Sequence, residues 1–215
     1  MLTEKLNNKL KEIRDILIEL ENLKIDIIAI SNKEEKYFDS VSNKSTFFNR
    51  IYWNSIKLFI IDIHKLVNDK EHYSLNSVLN FAISNWKHIS WKHEMSYEKL
   101  VHVKSQIESL VKEDLQSVKD LRDKYYAHND KDKNKFKVSL NLKKCWQILG
   151  TIQDIYNQIG YNLNNETWMF NLYAQPPKEL LISYKYNLIK HMYFEEIVKY
   201  PDDGTLIQLR KIIRN

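Results

Sequence analysis

Glycine and proline are scarce: three of each in a chain of 215 residues. Sheets need frequent tight turns, and tight turns draw on these two residues, so a strand-based architecture is excluded. The glycines, Gly150, Gly160 and Gly204, stand singly. There is no glycine-rich loop to cradle phosphates with backbone N–H groups, which removes nucleotide hydrolases of the P-loop kind. Cysteine is scarcer still. Cys145 alone builds neither an intrachain disulfide nor a cysteine zinc site, and a reducing, cytoplasmic setting is expected. No run of about 18 apolar residues occurs, so no membrane partner is expected. The opening MLTEKLNNKLKEIRD mixes charges with leucines and lacks the apolar stretch of a signal peptide.

Leu, Ile, Lys, Glu and Asn fill the space these absences leave, a composition that favours helices with short links. Leu6, Leu10, Ile13, Leu17 and Leu20 recur at alternating spacings of four and three, a heptad stripe. The pattern predicts a long helix over residues 3–30, and SNKEEKYFDSVSNKS reads as a loop after it. A second helix is expected from near Ser45 to about Val67, with Phe48, Ile51, Tyr52, Ser55, Leu58, Phe59 and Ile63 inward. Ser74 and Ser96 have the chemistry of N-caps for a third and a fourth helix, and Glu98 suits the first turn of the fourth. The apolar stripe of that helix runs through Leu100, Val103, Ile107, Leu110, Val111, Val118 and Leu121. A fifth helix is expected over roughly 140–160, and GYNLNNETW after it reads as irregular. Pro177 fits the first turn of a sixth helix that stops before Pro201. The fold class that follows is all-α: an antiparallel helical bundle over 1–165 with a C-terminal helical appendage over 166–215.

The formal net charge is +5 and the pI about 9.0. A basic excess permits RNA as a partner, and a solvated lysine-rich surface accounts for it equally well. Several short stretches imitate functional motifs. HEMSY at 93–97 begins like a zinc-protease helix, but the second ligand must follow the first by four residues, and Tyr97 stands there. His88, His93 and His102 have no spacing that stacks two imidazoles one turn apart, so no metal site and no cofactor are expected. WKHISWKH interleaves indoles with cations, as RNA-stacking surfaces do. Two indoles packing on the bundle is the favoured explanation. Cys145, with no base in view, reads as a small core residue.

LRDKYYAHND, residues 121–130, is different. It continues the apolar stripe of the fourth helix yet places Arg122 and His128 beside it. With about 100° per residue and Leu121 at zero, Val118 falls near 60°, Tyr125 near 40°, Arg122 near 100° and His128 near −20°. Two polar groups thus border the buried face, where leaving them unpaired is costly. Helix physics leaves two accounts open. Arg122 pairs with Asp114 or Asp123 while His128 caps the helix end, or the two groups face a cleft or a second subunit.

LRDKYYAHND resembles the signature of the HEPN superfamily: Arg, a polar residue, a short gap, then His. The RDK…AH-acidic form resembles the AbiU-type abortive-infection branch. FFNRIYWNSIKLFIIDIHKLVND before it and VSLNLKKCWQILGTIQDIYNQIG after it are also similar to that branch, and the resemblance covers about 1–165. It implies a four-helix-type bundle, often a homodimer in which Arg and His of both subunits line one cleft. It also implies a metal-independent ribonuclease of toxin–antitoxin or phage-defence type. In that role His128 is the acid/base, Arg122 holds the phosphate and Asp123 orients either. Lys124, Tyr126 and Asn129 are weaker candidates for RNA contact, and an antitoxin protein is a possible partner. Some members of the superfamily are silent binding or assembly modules, so an RNA- or antitoxin-binding module and a purely structural helical dimer stand as alternatives. Some also carry a tyrosine two residues after the His as a target for nucleotide transfer. Asp130 occupies that position, and the resemblance does not extend to such regulation.

Overall fold

The computed structural model describes residues 1–33, 42–68, 71–113, 141–174 and 177–199, of which 111–113, 179, 181 and 192–199 are described by their backbone alone. The described residues form seven helices and no strand. They are α1 (Leu2–Ile30), α2 (Thr46–Val67), α3 (Leu75–Asn85), α4 (Tyr97–Glu113), α5 (Leu142–Asn164), α6 (Phe170–Tyr173) and α7 (Lys178–Lys199), with a single 3-10 turn at Trp86–His88 between α3 and α4.

The leucine stripe makes α1 the central strut. Leu6, Leu10, Ile13, Leu17, Leu20, Leu23 and Ile27 are all buried in one core. Removing each such side chain from water contributes about 1.5–3 kcal/mol. Two helices run antiparallel to it. On α2, Phe48, Ile51 and Tyr52 near the start pack by Ile30 at the end of α1, while Lys9 near the start of α1 donates to the carbonyl of His72, just past α2. On α5, Asn164 donates to Asn7 at 2.6 Å and Gln153 to Glu21 at 2.8 Å, so later residues of one helix meet earlier residues of the other. Glu21 is buried within the stripe's own neighbourhood. The Lys24 ammonium, at 3.1 Å, and the Gln153 amide compensate the desolvation of its carboxylate.

Serine chemistry sets the helix starts, as expected at Ser74 and Ser96, and the structure adds a third cap at Ser45. Ser45 accepts the Phe48 N–H, Ser74 the Ser77 N–H and Ser96 the Lys99 N–H, each filling a donor the first turn leaves open. The backbone N–H of Glu98 and the Ser96 hydroxyl both bond the Glu98 carboxylate and hold its pKa below the ordinary value. Asn76 was not foreseen as a buried group. Its amide donates to the Val67 carbonyl at 2.6 Å, which ties the end of α2 to the start of α3.

Two expectations need correction. Leu58 is 48% exposed rather than inward. The buried arc of α2 centres between Phe59 and Ile63, and Leu58 falls roughly 130° from that centre. The fifth helix also does not end near 160. It runs on through GYNLN because Leu163 is buried, and it stops where Asn165 takes a left-handed conformation, φ 62°. Asn is one of the few residues that does so readily. The stretch after it contains the short α6, whose Phe170 enters the main core edge-on to Tyr156 at 5.4 Å.

α7 differs from the other long helices. Leu180 and Tyr184 pack with Ile30 against α2, and Tyr184 shares a 2.7 Å hydrogen bond with Ser42. Ile182, Tyr186 and Ile189 lie exposed.

Candidate functional site

Arg122, Asp123, Lys124, Tyr126, His128 and Asn129 lie outside the described residues, as do Val118 and Leu121 of the stripe that leads to them. What is described is the frame on either side. α4 carries the chain toward the motif and α5 carries it away. The start of α4 sits beside the end of α5. The N–H groups of Lys92 and His93 both donate to the Asn162 carbonyl at 3.0 Å, and Met95, Lys99, His102 and Val103 border one hollow with Gln158 and Asn162. Along α4 the stripe Leu100, Val103, Ile107 and Leu110 is buried in the same core as Cys145, Ile148, Leu149 and Ile152 of α5. The polar motif therefore follows a helix whose apolar face is fully used up to Leu110. At the start of α5, the Asn141 side chain accepts the Lys144 N–H, and Trp146 stands edge-on to Phe59 at 4.9 Å.

The imitations resolve as packing. Trp86 and Trp91 are partly buried against the core, and the Trp91 indole N–H donates to the Trp86 carbonyl at 3.1 Å. These rings are committed to the bundle rather than offered to a base. The ring of His93 stacks on Tyr161 at 4.4 Å and 4°, and its Nε2 meets Asn165 Oδ1 at 2.9 Å, so it braces the end of α5. Among the described residues no group of His, Cys, Asp and Glu has the arrangement of a metal site. Cys145 is buried, and that burial pushes its thiol up to about 11. A thiol so placed is almost wholly protonated at neutral pH, which suits a core residue and not a nucleophile.

A polar cleft of about 260 Å³ opens between the first half of α1 and the last half of α5, bordered by Asn7, Lys11, Arg14, Tyr156, Glu166 and Trp168 among others. Its parts are held in place. The Asn157 side chain accepts the Trp168 N–H at 2.7 Å and donates to the Trp168 carbonyl at 3.0 Å, a two-way clamp. Arg14 lies over the Trp168 ring, 4.6 Å from its centroid, and also meets Asp15 at 3.2 Å. Tyr156 is only 4% exposed, and its hydroxyl has no hydrogen-bond partner among the described residues. Burial pushes it up to about 12, with Arg14 acting against the shift and Glu166 and Asp15 adding to it. The phenol is neutral at physiological pH and available as a donor.

The comparison with family models gives one decisive match: AbiU2, a HEPN-type family, over residues 3–180.

The chain belongs to the AbiU2 family.

The comparisons with curated proteins and with solved structures give no match. Membership makes this an abortive-infection, HEPN-type chain, and the all-α architecture of the described residues agrees with it. The matched span contains positions 121–130 and reaches past α6 into α7. No described helix is long and apolar enough to cross a membrane. The polar cleft escaped the reading of the sequence. Its members come from residues 7–14 and 156–168, and no local spacing links them. The one signal available was the density of amides in QIGYNLNNETW.

Proposed function

We propose that this AbiU2 chain is a metal-independent endoribonuclease acting as a toxin or in phage defence in the cytoplasm. The observation that carries the reading is the pair Arg122 and His128 in LRDKYYAHND, inside the span that matches the family. RNA brings its own nucleophile, the 2′-OH. Histidine is the side chain suited to proton transfer near neutral pH, and His128 takes that proton or returns one to the 5′ oxygen as it leaves. The 2′ oxygen bonds to phosphorus and the bond from phosphorus to the 5′ oxygen breaks. The products are a 2′,3′-cyclic phosphate and a 5′-hydroxyl. Arg122 stays charged throughout and grips phosphate oxygens with its fork of donors as charge builds. Asp123 orients one of the two, and Lys124, Tyr126 and Asn129 add RNA contacts.

A symmetric homodimer belongs to the same reading. One chain offers one Arg–His pair, and a two-fold axis brings two pairs to one cleft. An antitoxin protein is the partner expected to restrain the activity. The test is purified protein with mixed RNA in EDTA, beside a His128→Ala control. Cleavage by the wild type alone supports the reading. RNA binding without cleavage, by wild type and variant alike, replaces it with a silent binding module.

A further inference from the structure

The cleft between α1 and α5 has the construction of a ligand site, and it does not depend on the ribonuclease reading. Tyr156 borders the cleft, and its buried hydroxyl has no hydrogen-bond partner among the described residues. A buried donor without a partner costs stability, so a group that accepts from it recovers that cost. Lys11 and Arg14 are the cations on the same wall, and Glu166 is the carboxylate. The Asn164 amide already donates to Asn7 Oδ1, which leaves Asn7 with its NH₂ and Asn164 with its carbonyl oxygen. Trp168 is fixed by the Asn157 clamp. A Cβ on Gly160 would stand 3.2 Å from the Glu166 carbonyl oxygen, so glycine at this position lets the 166 turn close tightly against α5.

The two cations and the hydroxyl ask for an anion, and a phosphate accepts from all three. The carboxylate asks for the opposite, an edge with N–H donors. Among the bases only guanine presents two adjacent N–H donors on its pairing edge, with an acceptor oxygen next to them for an amide NH₂. Adenine turns an unprotonated ring nitrogen toward the carboxylate and is repelled. The volume fits: a cavity of roughly 150 Å³ holds a benzene ring, and this cleft of about 260 Å³ has room for a fused two-ring base with its sugar at the mouth. We propose that this cleft binds one guanosine nucleotide, its phosphate on Lys11, Arg14 and the Tyr156 hydroxyl and its base edge on Glu166.

The same chemistry has two sources, free nucleotide and a guanosine within RNA, and calorimetry on the full chain separates them. The first titrants are 5′-GMP, 5′-AMP and inorganic phosphate. 5′-GMP is expected to bind about tenfold or more tighter than 5′-AMP, as one charge-assisted hydrogen-bond pair dictates. Glu166→Gln should bring 5′-GMP down to the level of 5′-AMP. Lys11→Ala should weaken both equally and reduce the salt dependence. Both residues are exposed, so neither variant threatens the fold. Tyr156→Phe should cost about tenfold in 5′-GMP affinity, with helicity by circular dichroism unchanged. A pentanucleotide RNA with one guanosine, methylated on its 2′-OH groups so that it resists cleavage, assigns the site to RNA if it displaces 5′-GMP. If 5′-GMP binds and the pentanucleotide does not compete, the site belongs to free nucleotide. Failure of 5′-GMP to bind at millimolar concentration overturns the proposal, as does binding of 5′-AMP or phosphate alone with equal strength, or a Glu166→Gln variant that keeps the preference. The readout is binding without cleavage, so its failure is distinct from failure of the ribonuclease reading.

Discussion

The two ends of α5 are built on opposite principles. Its first turns follow the motif segment and are apolar: Cys145, Ile148 and Leu149 are buried, and Trp146 meets Phe59 edge-on. Its last turns carry a lattice of amides, in which Asn157 clamps Trp168 and Asn164 bonds Asn7, while the main-chain carbonyl of Asn162 accepts from the N–H groups of Lys92 and His93. The apolar end holds by burial, which tolerates no loss of volume. The amide end holds by matched donors and acceptors, which leaves a few polar groups over for a ligand. The chemistry proposed at the first end sits in a short sequence motif. At the second end it exists only after folding, since residues 7–14 and 156–168 meet there.

That contrast is open to attack by substitution. The largest effect is expected at the apolar end, where Phe59→Ala removes a fully buried ring and the partner of Trp146. Chemical denaturation should report a loss of about 3–5 kcal/mol. A loss under about 1 kcal/mol, the scale of a tolerated core swap, would mean that this end does not depend on burial. Arg122→Ala should come next, through rate and not stability. The loss of one charged donor to the transition state is worth about 2.7–4 kcal/mol, or roughly 10²–10³ in cleavage rate. Arg122→Lys should recover part of it, because Lys has the charge without the planar fork. A fully active lysine variant would reduce Arg122 to a point charge.

Asn157→Ala is the sharper probe of the amide end. It leaves the N–H and carbonyl of Trp168 without their partner, at a cost of about 1–3 kcal/mol, and it should lower 5′-GMP affinity by freeing the ring under Arg14. A variant as stable as wild type would show that the clamp carries no load. The smallest effect is expected from Tyr156→Phe, which removes a hydroxyl that has no hydrogen-bond partner among the described residues. Stability at neutral pH should hold or rise by about 1 kcal/mol, because the variant removes a buried donor that costs stability. Its alkaline behaviour has a definite sign. The folded phenol titrates near 12, above its ordinary value of 10.0, so between these values the native state holds a proton that the unfolded chain has lost. Stability therefore falls as pH rises from 10 toward 12. The phenylalanine variant should lose that part of the decline, and an unchanged alkaline limb would mean that the hydroxyl is not buried as described.

The same contrast explains what the sequence made legible. The α1 stripe was plain because Leu6 through Leu20 repeat with the helix period and every one is buried. The caps Ser74 and Ser96 were plain because capping is a local exchange of hydrogen bonds. Leu58 misled because an apolar residue beside Phe59 in the sequence looks like core, although one residue along the helix is about 100° around it. The end of α5 misled for a related reason. Gly160 and three asparagines between 160 and 165 carry poor helix propensity, yet burial of Leu163 overrides it. The cleft was illegible because no pattern of period or spacing connects residues separated by some 150 positions. The Arg122–His128 pair stands out in the sequence because its signal is a spacing, and it lies outside the described residues.

The central claim is that Arg122 and His128 cut RNA through its own 2′-OH, and the ends of the products test it most directly. RNA is incubated with the purified chain in EDTA, and the new termini are identified by mass spectrometry beside a His128→Ala control. The account predicts a 2′,3′-cyclic phosphate and a 5′-hydroxyl from the wild type, no cleavage by the variant, and no cleavage of DNA or of RNA methylated on the 2′-OH at the cut site. A requirement for magnesium, or products that carry a 5′-phosphate, would contradict it and move the chemistry from Arg122 and His128 to the acidic residues.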